Sequence, residues 1–449
     1  MPEPLGRDAA LSLAEPAIEA ARGAGIEVLV IHGWGGLTRF ARSAIHQSTA
    51  QEETAVRVRA VRGGRVGISA TNDLRPQGLE AAALSALEMA DMAAPDPLFP
   101  GLTPEAEIPS GDAFDPPTPA TAPAARADAV AELVGRCGAG FSAAGAFETG
   151  ALEVAVTNTE GLAAHAVRSK ASITAVVSGG EGGAGFAERA AVRAGDLDPA
   201  EIGQTAFAKA HDSQRPRDVE VGYYEVLLEP AAVATLLGFL SYLGFGGRAL
   251  AEGRSCFAGR EGERLMSEGV SIWDDALSPE TIGLPFDFEG TPKQRVDLVR
   301  EGVFVGGVHD RRSARQLGGD STGHALPPPN PEGPLPLNLF MGTGQATTDE
   351  MIAATRRGLL ITRFHYSNIV HPKEAVITGM TRDGTWLIED GTVTSPVKNL
   401  RFTESILDAL DRVEMIGSDS VLASEFFFEA SRVPAVRIGS FRFTGRSDH

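Results

Sequence analysis

Nine histidines and two cysteines are the side chains of this 449-residue sequence best suited to bind a metal or act as a nucleophile, and their spacing argues against both roles. There is no His-x-x-x-His, His-Glu-x-x-His or Cys-x-x-Cys, which removes the usual local zinc arrangements. His365 and His371 lie nearest to each other. On one continuous strand an offset of six puts both on the same face but roughly 20 Å apart, so a shared metal would need a tight turn between them. His32, beside Gly33-Trp-Gly-Gly36, and His46 are expected to be structural. Cys256, between Ser255 and Phe257, reads as a small buried hydrophobe. No Gly-x-Ser-x-Gly elbow offers a serine nucleophile. The densest polar chemistry is in residues 310–331, with Arg311, Arg312, Arg315, Asp320, Ser321 and His324 followed by a proline-rich run. A polar loop of that length inside a compact domain is often functional, and here it would be a cleft wall or a dimer contact.

The elements that must position these groups are legible in outline. A chain of 449 residues, 43% hydrophobic, should form two domains or more. A polar stretch at 212–219 places the boundary so that residues 1–214 form one domain and 215–449 the other. In the first, a helix over 9–22, interrupted near Pro16, stops at Gly23. A buried strand is expected at 26–31, a hairpin at 54–70 turning on Gly63-Gly64, and a helix over 78–92. A proline-rich crossing loop at 94–124 leads to a helix at 125–138 and strands at 152–157 and 165–177. The glycine run 178–185 lacks the Lys and Ser/Thr of a phosphate loop and reads as a flexible loop. In the second, 226–228 is a strand, and Pro230 opens a helix so apolar that it must be buried. Thr347 and Glu350 form a capping box for a helix ending at Gly358. Two Asp-Gly turns, at 383–384 and 390–391, are expected to divide 375–397 into a meander, and 436–444 is a closing strand. The fold class expected is α+β: an N-terminal domain of helices and β-hairpins, then a mostly antiparallel β domain with packed helices.

The excess of 59 acidic over 40 basic residues, net −19, argues against nucleic acid as a direct partner. No basic and apolar leader or long apolar run is visible, so neither secretion nor membrane insertion is expected. Two cysteines fit a reducing cytoplasm.

The run Val226-Leu-Leu-Glu-Pro-Ala-Ala-Val-Ala-Thr-Leu-Leu-Gly-Phe-Leu-Ser-Tyr-Leu243, continued by Gly253-Arg-Ser-Cys-Phe-Ala-Gly-Arg260, resembles the signature region of the TldD/PmbA family of peptidase-related proteins. Asp310-Arg-Arg-Ser-Ala-Arg-Gln-Leu-Gly318, Ser321-Thr-Gly-His324, Asn338-Leu-Phe and Gly342-Thr-Gly344 extend the resemblance. Gly67-Ile-Ser-Ala-Thr-Asn-Asp-Leu74 and Val156-Thr-Asn-Thr-Glu-Gly161 match more loosely. The resemblance is closest to the PmbA (TldE) branch. Catalytic members carry His-Glu-x-x-x-His on the buried helix, and that motif falls here on Gly238, Phe239 and Leu243. They also use a late cysteine as a third zinc ligand, and this chain has none after Cys256. What the resemblance implies is therefore a subunit without catalytic residues, metal or cofactor, zinc being expected only in a catalytic partner.

On that reading the chain is inactive alone. It belongs to a cytoplasmic TldD/TldE-type metalloprotease complex that processes or degrades unfolded peptides, which lie extended along a sheet edge. Its partner would be a TldD-type zinc peptidase in a heterodimer, or a second copy in a homodimer. Arg311, Arg312, Arg315, Ser321, His324, Asn338, Gly342 and Gly344 are the candidates for a substrate or partner cleft. Two other readings are compatible with the residues. One is a homodimeric metallopeptidase with a rearranged metal site built from His324, His365 or His371. The other is a peptide-binding scaffold without hydrolase activity.

Overall fold

The structure, a computed structural model, describes residues 3–111, 113–423 and 430–446. The first half is built on strands β1 (Gly25–Ala41), β2 (Ala44–Arg62), β3 (Arg65–Thr71), β4 (Phe141–Asn158), β5 (Ala163–Gly179) and β6 (Ala184–Ala191). They form one antiparallel sheet in the order β3-β2-β1-β4-β5-β6. Alternation sets its two faces. Val28, Val30, Val56 and Val58 point to the helices Glu15–Ala20 and Pro76–Met92. Further along that face, Phe40, Phe147 and Ile173 meet the helices Pro123–Val134 and Pro199–Asp212. The opposite face, through Leu29, Val154 and Val156, packs on Leu284 and Phe286 of the second half.

Two of these strands far outrun their expected lengths. The strand expected at 26–31 continues to Ala41, and the one expected at 54–61 begins at Ala44. Glycines at 33, 35 and 36 and the polar run 46–53 hide this extension in the sequence, since glycine is depleted in strands and a strand wet on both faces shows no alternation. The glycine run at 178–185 is a hairpin: residues 178–179 end β5, 184–185 begin β6, and Gly182 at φ 86° makes the turn.

The second half holds β7 (Gly222–Leu228), β8 (Ile272–Asp274), β9 (Val296–Arg300), β10 (Val303–Phe304), β11 (Leu339–Met341), β12 (Arg357–His371), β13 (Val376–Glu389), β14 (Thr392–Pro396), β15 (Leu400–Ser405), β16 (Val413–Ala423) and β17 (Ser431–Arg446). Their order is β10-β9-β8-β11-β17-β15-β13-β12-β7, and β7 pairs back onto β17, so five strands close on themselves. The sheet is mixed: β7 with β12 and β11 with β17 are parallel. The helix Pro230–Leu240 is enclosed by this sheet, with Val233, Leu236, Leu237 and Leu240 in one core with β7, β12 and β17. The fold is α+β, as the sequence led us to expect.

Two local expectations are corrected. Asp383-Gly384 does not turn the chain. Strand β13 runs straight through it, and the register steps from Ile361↔Thr385 to Arg363↔Arg382, so the pair is a bulge opposite Thr362. Asp383, at φ 53°, is held there by Arg363, whose Nε donates to Asp383 Oδ2 at 2.7 Å. The capping box of Thr347 and Glu350 is present, but its helix stops at Ala353 and Gly358 lies inside β12. A Cβ at Gly358 would sit 2.7 Å from the Glu225 carbonyl, so this glycine permits close strand approach rather than a helix cap. No described helix is long and apolar enough to cross a membrane.

Candidate functional site

The helix Pro230–Leu240 widens into a single π turn over Ser241–Phe245 before the chain leaves the core. Such turns often mark functional positions. Here Gly238, Phe239 (7% exposed) and Leu243 (6% exposed) are all buried, with Leu237, Leu240 and Phe257 in the same apolar core. Zinc requires nitrogen, thiolate or carboxylate donors. These three side chains supply none, so the residues present do not fit that metal. Among the described residues no group of three or more His, Cys, Asp or Glu side chains is placed to hold a metal ion. Burial pushes the Cys256 thiol up to about 12, which keeps it protonated and inert.

The arginines of the 310–331 stretch turn toward the first half of the chain. The stretch is not all loop: Asp310 caps a short helix, Arg311–Leu317, by accepting from Ser313 N at 2.7 Å. Arg311 Nη1 donates to the Gly101 carbonyl (2.8 Å), Arg315 Nη1 to the Phe99 carbonyl (2.9 Å), and Arg312 Nε to Asp96 Oδ2 (3.0 Å). These side chains fasten the two halves together across the proline-rich crossing segment.

His324 and Asn338 are brought together, by a residue that the sequence did not single out. Asp274, fully buried at the end of β8, accepts from His324 Nε2 (2.8 Å) and from Asn338 N (2.7 Å). An ionised carboxylate only accepts, so His324 Nε2 carries the proton and Nδ1 accepts from the Thr322 hydroxyl at 2.9 Å. Burial, reinforced by the charge of Lys293, holds the His324 imidazole below its usual value; Asp274 opposes that shift. Burial works to raise Asp274, but the charge of Lys293 and the hydrogen bonds from His324 and Asn338 keep it low. Asn338 Nδ2 donates to the Ile282 carbonyl at 3.2 Å, and Ser321 Oγ to the His309 carbonyl at 3.1 Å. Gly342 N and Gly344 N donate to the Ser271 and Gly417 carbonyls, and a Cβ at Gly344 would lie 2.4 Å from the Ile416 carbonyl. His365 and His371 sit on β12, whose pairing with β13 is irregular between them.

A second buried charge cluster lies where the halves meet. Arg59 Nη1 stands 3.0 Å from Glu27 Oε1 and 3.0 Å from Glu289 Oε1, joining β1 and β2 to the second half. Neither Glu27 oxygen accepts an aligned hydrogen bond from any described residue. Burial raises Glu27 to about 7, with Arg59 opposing the rise and Glu289 adding to it. Asp287, similarly buried, is also raised to about 7.

The open concavity lies on the first sheet. Strand β3 pairs with β2 only from Arg62 to Val56, so the outer edge of β2 over 44–55 has no neighbouring strand among the described residues. Residues 44–53 are all exposed. Beside this edge, on the face that also meets the second half, is a trough of about 440 Å³ lined by Gly33, Gly35, Gln51, Glu53, Arg57, Glu148, Gly150, Arg168 and Lys170 among others. Two rows cross its floor: Gln51–Gly35–Gly150–Lys170 and Glu53–Gly33–Leu152–Arg168. Burial depresses Arg168 to about 10 and lowers Lys170, which Glu148 partly offsets. No sequence pattern pointed here, because the glycines read as breaks and the charges lie on three separate strands.

A helix-covered antiparallel sheet is thus joined to a partly closed mixed sheet around one apolar helix. Residues 221–445 match the PmbA/TldA metallopeptidase C-terminal domain and residues 22–90 match PmbA/TldA metallopeptidase domain 1. The chain belongs to the PmbA/TldD family. It is similar to the metalloprotease TldD homolog of Haemophilus influenzae, 28% identical over 171 residues, which is 37% of this chain and 35% of that protein. A metalloprotease of Methanothermobacter thermautotrophicus is 26% identical over 254 residues, 55% of this chain and 53% of its own length. The chain thus spans about a third to a half of these curated relatives. The crystal structure of TldE from Thermococcus kodakarensis superposes with a TM-score of 0.87 over 97% of this chain and 99% of that one, at 18% identity, a likeness of fold.

Proposed function

We propose that this chain is the metal-less subunit of a cytoplasmic TldD/TldE-type metalloprotease complex, one that holds unfolded peptide while a TldD-type zinc peptidase supplies the hydrolysis. The observation that carries the reading is the buried, donor-free setting of Gly238, Phe239 and Leu243. The unpaired edge of β2 supports the peptide-holding part. Twelve residues of open edge, 44–55, present alternate backbone N–H and C=O groups, which bind an extended chain with little regard to its sequence. The engagement of both His324 ring nitrogens within the protein speaks against recruiting that residue to a rearranged metal site.

Co-expression with a catalytic family member, followed by size measurement and a peptidase assay, tests the assembly. The expected outcome is a heteromer with chelator-sensitive activity, while the isolated chain has no activity and no stoichiometric zinc. Zinc at one equivalent in the chelator-free chain, lost on His365→Ala or His371→Ala, would sink the proposal. For the peptide, an unstructured decapeptide should bind the isolated chain, and methylating alternate backbone nitrogens should abolish binding.

A further inference from the structure

The trough beside β2 is charged against the grain of the molecule. Over the whole chain acids outnumber bases 59 to 40, yet the trough presents three bases, Arg57, Arg168 and Lys170, and two acids, Glu53 and Glu148. On the β2 side stand Gln51, Glu53 and Arg57, the last two of opposite sign; on the β5 side, three strand spacings or roughly 14 Å away, stand Lys170 and Arg168, with Glu148 on the neighbouring β4. Between them the floor is bare where Gly33, Gly35 and Gly150 carry no side chain. That span and a volume of about 440 Å³ suit a few residues of peptide lying across the strands.

Both arginines are anchored to carbonyls of the second half. Arg168 Nη1 donates to the Ile282 carbonyl at 3.4 Å, and the Arg57 guanidinium donates through Nη1 to the Pro328 carbonyl. Arg168 and Lys170 also have other partners in the protein. A guanidinium offers five N–H donors in a planar fork, the shape that pairs with a carboxylate. Arg57 Nε, shielded from solvent, meets no acceptor among the described residues.

Resting on the peptide-holding reading, we propose that the trough is a carboxylate-selective subsite: a peptide held along the β2 edge turns off it, and its following residues cross the glycine floor with a carboxylate, C-terminal or from an Asp or Glu side chain, against Lys170 and Arg168.

The test uses fluorescence anisotropy of a labelled, unstructured decapeptide with the full chain. Four probes are compared: free acid with one Glu, C-terminal amide with Glu, free acid with Gln, and amide with Gln. Loss of one charge-assisted hydrogen-bonded contact corresponds to roughly tenfold to a hundredfold in affinity. The expected result is a drop of that size for the amide/Gln probe, and the two intermediate probes tell which carboxylate is read. Lys170→Gln should erase the difference between the probes. Gly33→Leu should weaken all four by filling the trough; its backbone needs no glycine φ, and an added Cβ meets nothing closer than Leu152 Cδ1 at 3.9 Å. Equal binding of all four probes, abolished by backbone methylation, would overturn the subsite and leave the peptide-holding reading standing. Binding of none would overturn both.

Discussion

Writing the zinc motif back onto the central helix should yield a damaged fold rather than a peptidase. The triple variant Gly238→His, Phe239→Glu, Leu243→His removes two apolar side chains that are 7% and 6% exposed. Each such side chain contributes about 1.5–3 kcal/mol by burial. The variant also places three polar groups in the core, each costing about 1–3 kcal/mol where no partner meets it. The sum is about 6–15 kcal/mol, against a typical margin of about 5–15 kcal/mol. The three sites adjoin, so the terms are not strictly additive, but the direction is secure. The late cysteine position also stays unfilled, since the chain has no cysteine after Cys256. Leu243→His alone, at about 2.5–6 kcal/mol, should fold and melt roughly 5–20 °C lower. The assay is thermal unfolding with and without zinc, together with cleavage of an unstructured peptide under a chelator control. A metal bound at a hundred times its dissociation constant would stabilise by about 2.7 kcal/mol. We expect no zinc-dependent rise in melting temperature and no turnover. A clear rise together with chelator-sensitive cleavage by the triple variant would refute the reasoning, because it would mean that the rest of a working site surrounds this helix.

Arg59→Met should cost about 3–5 kcal/mol in thermal or denaturant unfolding, because it strands Glu27 and Glu289 at the junction of the two halves. Glu27→Gln should change the pH dependence of stability. Its folded value, about 7, lies above the ordinary 4.5, so folding takes up a proton; that contribution is complete below pH 4.5 and is lost as pH rises through about 7. Melting temperature against pH should therefore be flatter over that window in the variant, with part of the slope left by Asp287. His324→Leu should be worth about 3–5 kcal/mol, since the charge of Asp274 stays fully buried without its imidazole. Arg312→Ala, by contrast, breaks a half-exposed pair with Asp96 and should cost no more than about 1 kcal/mol in the same measurement.

Much was settled by the sequence alone. The apolar periodicity after Pro230 requires a buried helix, and the absence of His, Glu or Cys at its motif positions is a matter of residue type that no folding could alter. Gly63-Gly64 and Asp390-Gly391 were legible as turns because their φ values, 57°, 74°, 49° and 76°, are ones that few other residues adopt. Asp383-Gly384 carries the same signal, yet the neighbouring strand decides whether positive φ makes a turn or a bulge, and β12 makes it a bulge. The polar stretch 310–331 could be recognised as unusual but not assigned. Its arginines find acceptors some two hundred residues earlier, at 96–103, and only tertiary packing creates that proximity. The buried carboxylates Glu27, Asp274 and Asp287 looked like any surface acids, since burial is a property of the neighbours and not of the residue. The trough was invisible for the same reason: its floor and walls come from four strands, with register placing Gln51, Gly35, Gly150 and Lys170 in one row. Sequence fixes which side chains the strands carry; the pairing of β1 with β2 and β4, and of β4 with β5, decides which of them face one another.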